Sequence, residues 1–321
     1  MKDQIEMVSL ENLVSSKHVY RKFEKVLDFS IFDKTLGKIE KKAGFNGYGA
    51  KRMFKCILLQ HLEDLSDREL ESFLEDNVSG KWFCGFSLMD KTPDHSSFGK
   101  FRDRLGVEKL AEMFQVFREQ LKAKGLKNEF FSVVDATHLV SKASLWEERD
   151  KAVKQRYEKL NNEVLPKVAV DKEARIGCKG KSKFWYGYKI ARSIDMQSGL
   201  VNRTHIEGAN VHDIRMMEKV LPEGGAIYAD KGFCSKKLEE RLEKRNCTPR
   251  AVKRNNMKNK NRDFDRYITK WRGPFERMFS RMRKRARYIG KVKNYFAEMM
   301  DCISFNLRRL IVLSAGVMEA S

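Results

Sequence analysis

The stretch Phe130-Phe131-Ser132-Val133-Val134-Asp135 decides the fold class, because a helical sequence pattern ends there and a strand pattern begins. Aromatic and β-branched residues in a short run are typical of a strand, and we expect this strand to end at Asp135. A second short apolar run, Ala226-Ile227-Tyr228-Ala229, is followed in the same way by Asp230. The sequence therefore predicts two strands that each lead into a carboxylate.

The residues around these two runs predict a mixed α/β sheet with helices against it. Residues 184–194 alternate in polarity, and Ser198-Gly199 makes a turn into 200–206, which predicts a hairpin. Strands followed by strands alternating with helices indicate this fold class. The remaining segments are predicted as follows: helices over 213–220 and 235–245, a strand over 249–253, and a helix from Pro274 onward.

The first 125 residues predict helices. Apolar positions recur at helical spacing from Ala50 to Leu65, and Ser66-Asp67-Arg68-Glu69 has the S-x-x-E pattern of a capping box. Two further helices are predicted on either side of Gly106, and an aromatic loop over 82–86. Short capped helices joined by tight turns are typical of a helix-turn-helix-like module. A helical domain that only packs or dimerises remains the alternative.

The charge of the chain predicts a polyanionic partner. The 321 residues carry 65 Lys and Arg against 44 Asp and Glu, a formal charge of +21. Residues 250–293 hold 17 of the basic and 3 of the acidic residues. Aromatic residues such as Tyr267 and Trp271 are interleaved with these cations, as in a nucleic-acid groove. We expect no membrane segment, since no run approaches about 18 apolar residues, and no signal peptide.

Three acids are candidates for a shared metal site. If the strands before Asp135 and Asp230 are neighbours, both carboxylates emerge at one sheet edge. Glu276 is the third candidate, in the first turn of a helix beginning at Pro274, where a helical wheel sets it beside Arg283 and Arg287. Such a trio suits two Mg²⁺ ions that activate the attacking oxygen and stabilise the leaving oxygen in displacement at phosphorus. The alternatives are a turn-forming role for each Asp and a helix-dipole role for the Glu.

The chain also resembles a known family over nearly its whole length. In the first half the resemblance rests on Leu65-Ser66-Asp67-Arg68-Glu69-Leu70, Trp82 to Leu88, Pro93-Asp94-His95-Ser96-Ser97-Phe98 and Phe101-Arg102. In the second half it rests on Val134-Asp135-Ala136-Thr137, Tyr186-Gly187-Tyr188-Lys189, Gly199-Leu200-Val201, Ala209 to Asp213, Ala229-Asp230-Lys231-Gly232-Phe233 and Arg272-Gly273-Pro274-Phe275-Glu276. In these motifs, the sequence resembles insertion-sequence transposases of the DDE type, the IS four and IS five families.

The resemblance implies a fold and a domain organisation. It implies an RNase H-like catalytic core over residues 127–321, including the basic segment 250–293, and a helical DNA-binding domain over 1–126. The family pattern around the third acid is only partly matched. Arg272 and Glu276 fit it, but Thr269 replaces a tyrosine and Arg283 replaces a lysine.

The resemblance further implies an activity. It implies that Asp135, Asp230 and Glu276 are the catalytic residues and that they bind two Mg²⁺ ions, which Mn²⁺ can replace. The DNA-contacting cations are expected to be Lys231, Arg272, Arg283, Lys284 and Arg287. The expected partners are terminal inverted repeats, target DNA and further copies of the chain, in the cytoplasm and nucleoid of a prokaryote. Two alternatives stay open: a repurposed transposase that binds DNA without catalysis, and a general metal-dependent nuclease.

Overall fold

The computed structural model describes residues 8–40, 47–180, 182–230, 236–253 and 261–318. These residues form two compact units, one from residues 8–117 with 303–318 and the other from residues 118–302. Among the helices so described, none combines the length and apolarity needed to cross a bilayer.

Between residues 8 and 123, the regular elements of the described chain are helical, as the sequence predicts. The predicted loop over 82–86 is wrong in part, since a helix continues to Cys84. Phe83 and Phe86 of this segment are buried. The elements are α1 (Leu10–Leu13), α2 (Val19–Val26), a 3-10 turn (Phe29–Phe32), α3 (Asp33–Glu40), α4 (Ala50–Leu62), α5 (Asp67–Asp76), α6 (Val78–Cys84) and α7 (His95–Ala123).

Two local signals in this helical region act as predicted. The Ser66 hydroxyl accepts the Glu69 N–H at 3.3 Å, and the Glu69 carboxylate accepts the Ser66 N–H at 2.7 Å, which completes the capping box that begins α5. Gly106 interrupts α7 with a φ of 68°, in the left-handed region that glycine adopts without a Cβ clash. The two predicted helices therefore meet at this residue.

The second unit contains a six-stranded mixed sheet flanked by helices. Strand β3 pairs antiparallel with β1, β2 and β4, whereas β5 pairs parallel with β1 and with β6. The strands are β1 (Phe131–Val140), β2 (Arg175–Lys179), β3 (Lys183–Asp195), β4 (Val201–Gly208), β5 (Gly225–Ala229) and β6 (Cys247–Ala251). The helices are α8 (Leu145–Lys154), α9 (Leu165–Val168), α10 (Asp213–Glu218), α11 (Lys236–Glu243), α12 (Arg262–Arg281) and α13 (Lys291–Met318).

This arrangement confirms the predicted α/β class, a mixed sheet with flanking helices preceded by a helical region. One face of the sheet buries Val134 and Ile227 against α10 and α11, and the other buries Leu139 and Ile190. The hairpin β3–β4 is also confirmed, with a bulge beside Ser193. The sequence did not predict β2, α8 or α9, and β6 begins two residues before the predicted strand.

Gly187 lies where β3 changes partners. It pairs with Val140 of β1 and with Arg175 of β2, and its φ is 149°. A Cβ at this position would lie 2.2 Å from the Leu139 carbonyl oxygen and 2.5 Å from the Ser141 nitrogen. Both neighbours are backbone atoms that cannot rotate away, so the close approach of the strands requires glycine.

Candidate active site

Asp135 and Asp230 are brought together by the pairing of β1 with β5. The two strands are parallel, and Val133 lies opposite Tyr228. The same register continued two residues along sets Asp135 beside Asp230, with both side chains on the same face of the sheet. The two strands are thus neighbours, which was the condition for both carboxylates to emerge at one sheet edge. The prediction that Asp135 ends its strand is wrong, because β1 continues to Val140 in pairing with β3.

Helix α12 brings Glu276 to this face, by a route that the sequence did not predict. The helix contacts β1, β5 and β6 and begins at Arg262, with Pro274 in its interior. Glu276 therefore lies near the end of the helix and not in its first turn. Pro274 is tolerated on the exposed side of α12, although its ring nitrogen cannot donate a helical hydrogen bond.

Arg272 connects two of the acids. Its guanidinium nitrogens lie 3.7 Å from an Asp230 carboxylate oxygen and 3.7 Å from a Glu276 carboxylate oxygen. The Arg272 side chain is 6% exposed, whereas those of Asp230 and Glu276 are 58% and 56% exposed. A buried cation thus lies between two carboxylates that face solvent, and it reduces their mutual repulsion.

Burial dominates the electrostatics of Asp135. Burial raises the pKa of its carboxyl above the ordinary value, and the negative charge of Asp230 raises it further. The charge of Arg272 and the N–H of Ala136, which donates to the Asp135 carboxylate at 2.8 Å, lower that pKa but do not outweigh burial. A nearby cation would favour the ionised form of Asp135.

The donor set suits a hard divalent cation, since Mg²⁺ prefers carboxylate oxygens with water and substrate oxygens completing its shell. Within the described ranges, no three Asp, Glu, His or Cys side chains converge closely enough to enclose an ion. Asp135 and Asp230 lie side by side, while the Arg272 guanidinium lies between Asp230 and Glu276. The positive charge between Asp230 and Glu276 is therefore supplied by the protein's own Arg272.

The other predicted DNA-contacting residues lie in different environments. The predicted wheel position of Arg283 and Arg287 beside Glu276 is wrong, because α12 ends at Arg281 and both residues follow it. Arg283 donates to the Asp301 carboxylate of α13 at 3.0 Å, which holds the segment after α12 against that helix. Arg287 is partly buried. Lys231 lies outside the described residues.

The backbone of Lys284 lies beside the end of β1, the strand that carries Asp135. Its carbonyl accepts the Val140 N–H at 2.8 Å, and the Ala286 N–H donates to the Val140 carbonyl at 2.7 Å. The Lys284 side chain is exposed. Burial, together with the charges of Lys284 and Lys179, lowers the pKa of His138. Positive charge therefore gathers along the same strand that carries Asp135.

Two buried acids that sequence reasoning did not single out accept hydrogen bonds from buried side chains of the sheet. Asp171 accepts hydrogen bonds from the hydroxyls of Ser141 and Tyr188, and its own carbonyl accepts the hydroxyl of Tyr186. The motif Tyr186-Gly187-Tyr188 was the available signal, since paired buried hydroxyls need a partner. Glu298 of α13 is the second such acid.

Glu298 forms a fully buried ion pair with Arg192 of β3. Two guanidinium nitrogens of Arg192 lie 2.6 Å from the two Glu298 oxygens, and the Thr204 hydroxyl donates to the same carboxylate at 2.7 Å. Arg192 lies directly opposite Asp135 in the β1–β3 register. The ion pair therefore fixes α13 to the sheet beside a candidate catalytic strand.

The motif residues of the N-terminal region contact one another. Arg102 donates two hydrogen bonds to the Asp67 carboxylate, at 2.9 and 2.5 Å, and Gln60 donates to the same group at 2.6 Å. His95 lies 2.7 Å from Glu71. These contacts give the motifs a structural role in joining α4, α5 and α7.

Comparisons with known proteins match both halves of the chain. Residues 131–307, more than half of the chain, match the family described as Transposase DDE domain, and residues 8–104 match the family described as Transposase domain (DUF772). The transposase for insertion sequence element IS1106 of Neisseria meningitidis serogroup B is 27% identical over 230 residues, which cover 65% of this chain and 76% of that protein.

A solved structure is also similar. The cryo-EM structure of a piggyBac transposase synaptic complex with hairpin DNA matches with a TM-score of 0.44 and 13% identity, over 93% of this chain and 75% of that chain.

Proposed function

Because the chain belongs to the Transposase DDE domain family and is an insertion-sequence transposase, we propose that Asp135, Asp230 and Glu276 are its catalytic acids. The observation that carries this proposal is their arrangement. Asp135 lies on β1, Asp230 directly follows the neighbouring parallel strand β5, and Arg272 contacts both Asp230 and Glu276. Transposases act on DNA, and the substrate proposed here is the terminal inverted repeat of the element followed by target DNA.

The three acids would hold Mg²⁺, with Mn²⁺ able to replace it. When bound, such ions supply charge that activates the attacking oxygen and stabilises the leaving oxygen at phosphorus. The protein's own residues position this chemistry. Asp135 on β1 and Asp230 at the end of β5 present their carboxylates next to each other, and α12 carries Glu276 over the same sheet. A metal ion bound by all three would take over charge compensation from Arg272, which would then be able to contact substrate phosphate.

The rest of the proposal concerns DNA binding. The exposed Lys284 and Arg285, alongside the end of β1, would neutralise phosphates beside the acids. We assign binding of the element ends to the helical domain over residues 1–126 and cleavage to residues 127–321. The two family matches support this division, since one ends at residue 104 and the other begins at 131.

Glu276→Gln tests the catalytic assignment. We expect the variant to lose Mg²⁺-dependent cleavage of an oligonucleotide that carries an element end, while its affinity for that oligonucleotide stays within about two-fold. Asp263→Asn is the matched control, since it removes one negative charge from the exposed first turn of the same helix. Full cleavage by the Glu276 variant would refute the assignment.

One observation favours the alternative of a repurposed DNA-binding protein without catalysis. Arg272 lies between Asp230 and Glu276, and the three acids do not converge in the described structure. The same assay separates the two functions, because a repurposed protein would bind the element ends and leave them uncut with either metal.

A further inference from the structure

Three aromatic side chains form a ladder along one side of α12. Phe264, Tyr267 and Trp271 are three and four residues apart and so project from one helical face. The Phe264 and Tyr267 rings are nearly parallel, with centroids 6.4 Å apart, and the Tyr267 and Trp271 centroids are 5.9 Å apart. Tyr267 is 47% exposed and Trp271 is 51% exposed. We call these three residues the aromatic ladder.

The aromatic ladder is held in place by the sheet beneath it. The guanidinium of Arg250 in β6 lies 5.4 Å from the centroid of the Phe264 ring, a cation–π contact. Tyr228 of β5 is buried, and burial together with the neighbouring Tyr267 raises its pKa. The Asp265 carboxylate accepts the Lys253 N–H at 3.0 Å, which ties the start of α12 to the end of β6. The rings are therefore positioned before any ligand arrives.

Cations lie beside the aromatic ladder on the outer face of the same helix. Arg266, Lys270 and Arg277 are exposed and occupy a neighbouring stripe of α12, four and seven residues apart. The acids lie on the other flank: the buried stripe that includes Ile268 and Phe275 separates the ladder from Glu276. Along the helix axis, Trp271 and Glu276 are only about 7.5 Å apart.

We propose that the aromatic ladder binds unpaired bases of the DNA strand that is cut at the acidic site. Exposed rings stack on the π-face of any base, and flanking cations neutralise the backbone of a single strand. Paired bases in a duplex have no free face to offer. The combination of a rigid aromatic strip with a cationic stripe therefore selects single-stranded DNA next to the cleavage position. This inference rests on the proposed function, since it assumes that DNA is the substrate.

The test compares two forms of one element-end oligonucleotide, a fully paired duplex and a duplex with a short unpaired overhang at the cut strand. Fluorescence anisotropy measures the affinity of the full chain for each. We expect the wild type to prefer the overhang. Trp271→Ala should weaken overhang binding by roughly ten-fold, which corresponds to about 1.4 kcal/mol of stacking, and leave duplex binding within about two-fold. Trp271→Phe should restore most of the preference.

Trp146→Ala is the matched control, because Trp146 is 72% exposed and lies on α8 of the same unit. It should leave both affinities unchanged. Equal loss of duplex and overhang binding in Trp271→Ala would overturn the ladder assignment, as would a change in oligomeric state of that variant measured by light scattering. Failure of the wild type to bind either oligonucleotide would refute the proposed function itself, whereas binding without overhang preference would refute only this inference.

Discussion

Replacing Glu298 with glutamine should destabilise the unit that contains the sheet more than the loss of any single exposed ion pair would. The Arg192 and Glu298 side chains are 1% and 2% exposed, and they meet through two contacts of 2.6 Å. Burial alone would lower the pKa of Arg192, but the facing Glu298 carboxylate raises it above its ordinary value. The glutamine variant keeps the shape of the side chain and leaves a charged guanidinium buried without a counter-charge.

The size of the effect follows from this burial. Two unit charges about 4 Å apart interact by about 4 kcal/mol at an effective dielectric constant near 20. Removing one partner of a buried pair costs about 3–5 kcal/mol, because the other charge stays desolvated. One Arg192 nitrogen, Nη1, already lacks a hydrogen-bond partner among the described residues, so the site has little capacity to compensate. For a unit of this size the expected loss in Tm is roughly 10 °C.

Thermal unfolding by circular dichroism, with and without urea, measures this loss. Lys51→Gln is the control, since it breaks the exposed pair with Asp33, and it should change stability by less than about 0.5 kcal/mol. The double variant Arg192→Met with Glu298→Leu replaces the pair by apolar groups and should recover most of the stability. A Glu298→Gln protein that unfolds within about 2 °C of the wild type, or a double variant no more stable than the single one, would refute this reasoning.

Three further changes test the site and the helical region. In metal-free buffer Asp135→Asn should raise the Tm at pH 7, because the raised pKa of Asp135 means that its ionised form destabilises the fold. The gain in Tm should shrink as the pH falls toward the unfolded-state pKa of about 3.9. A lower Tm of the variant at pH 7 would contradict this reasoning. Ser66→Ala should cost about 1 kcal/mol in urea unfolding by removing the bond to the Glu69 N–H, and an unchanged midpoint would show that the cap contributes nothing. Lys284→Gln should lower the slope of log affinity for DNA against log salt by about one unit, whereas an unchanged slope would exclude a phosphate contact.

The pairing of Asp135 with Asp230 could be predicted because its signals are local. Each Asp follows a short apolar run, and two such runs in an α/β pattern are expected to be neighbours in one sheet. The capping box at Ser66 is local in the same way, since its two hydrogen bonds join residues three apart. Asp195 shows the limit of this reasoning. It also ends a strand, but its carboxylate closes the following turn by accepting the N–H groups of Gln197 and Ser198 and also accepts the N–H of Glu129.

The start of α12 could not be predicted, because proline is most common in the first turn of a helix and Pro274 lies near its end. The contacts that stabilise the first half of α12 are tertiary. Ile268 is on the buried face of the helix, and the Asp265 carboxylate accepts a hydrogen bond from the Lys253 N–H. The Arg192–Glu298 pair joins residues 106 positions apart, and no periodicity or motif reports such a contact. Packing of this kind is decided by the assembled fold.

Arg272 explains how three acids can share one face of the sheet. Carboxylates at close range repel unless a cation lies among them. Here the cation is part of the same helix that carries Glu276, four residues away, so that one element delivers both the negative charge and its compensation. Because the Arg272 side chain is buried while the Asp230 and Glu276 side chains face solvent, the charge balance is set from inside the protein. The open side of the acidic cluster is thereby left accessible to ligands that arrive from solution, which is the direction from which DNA phosphates would approach.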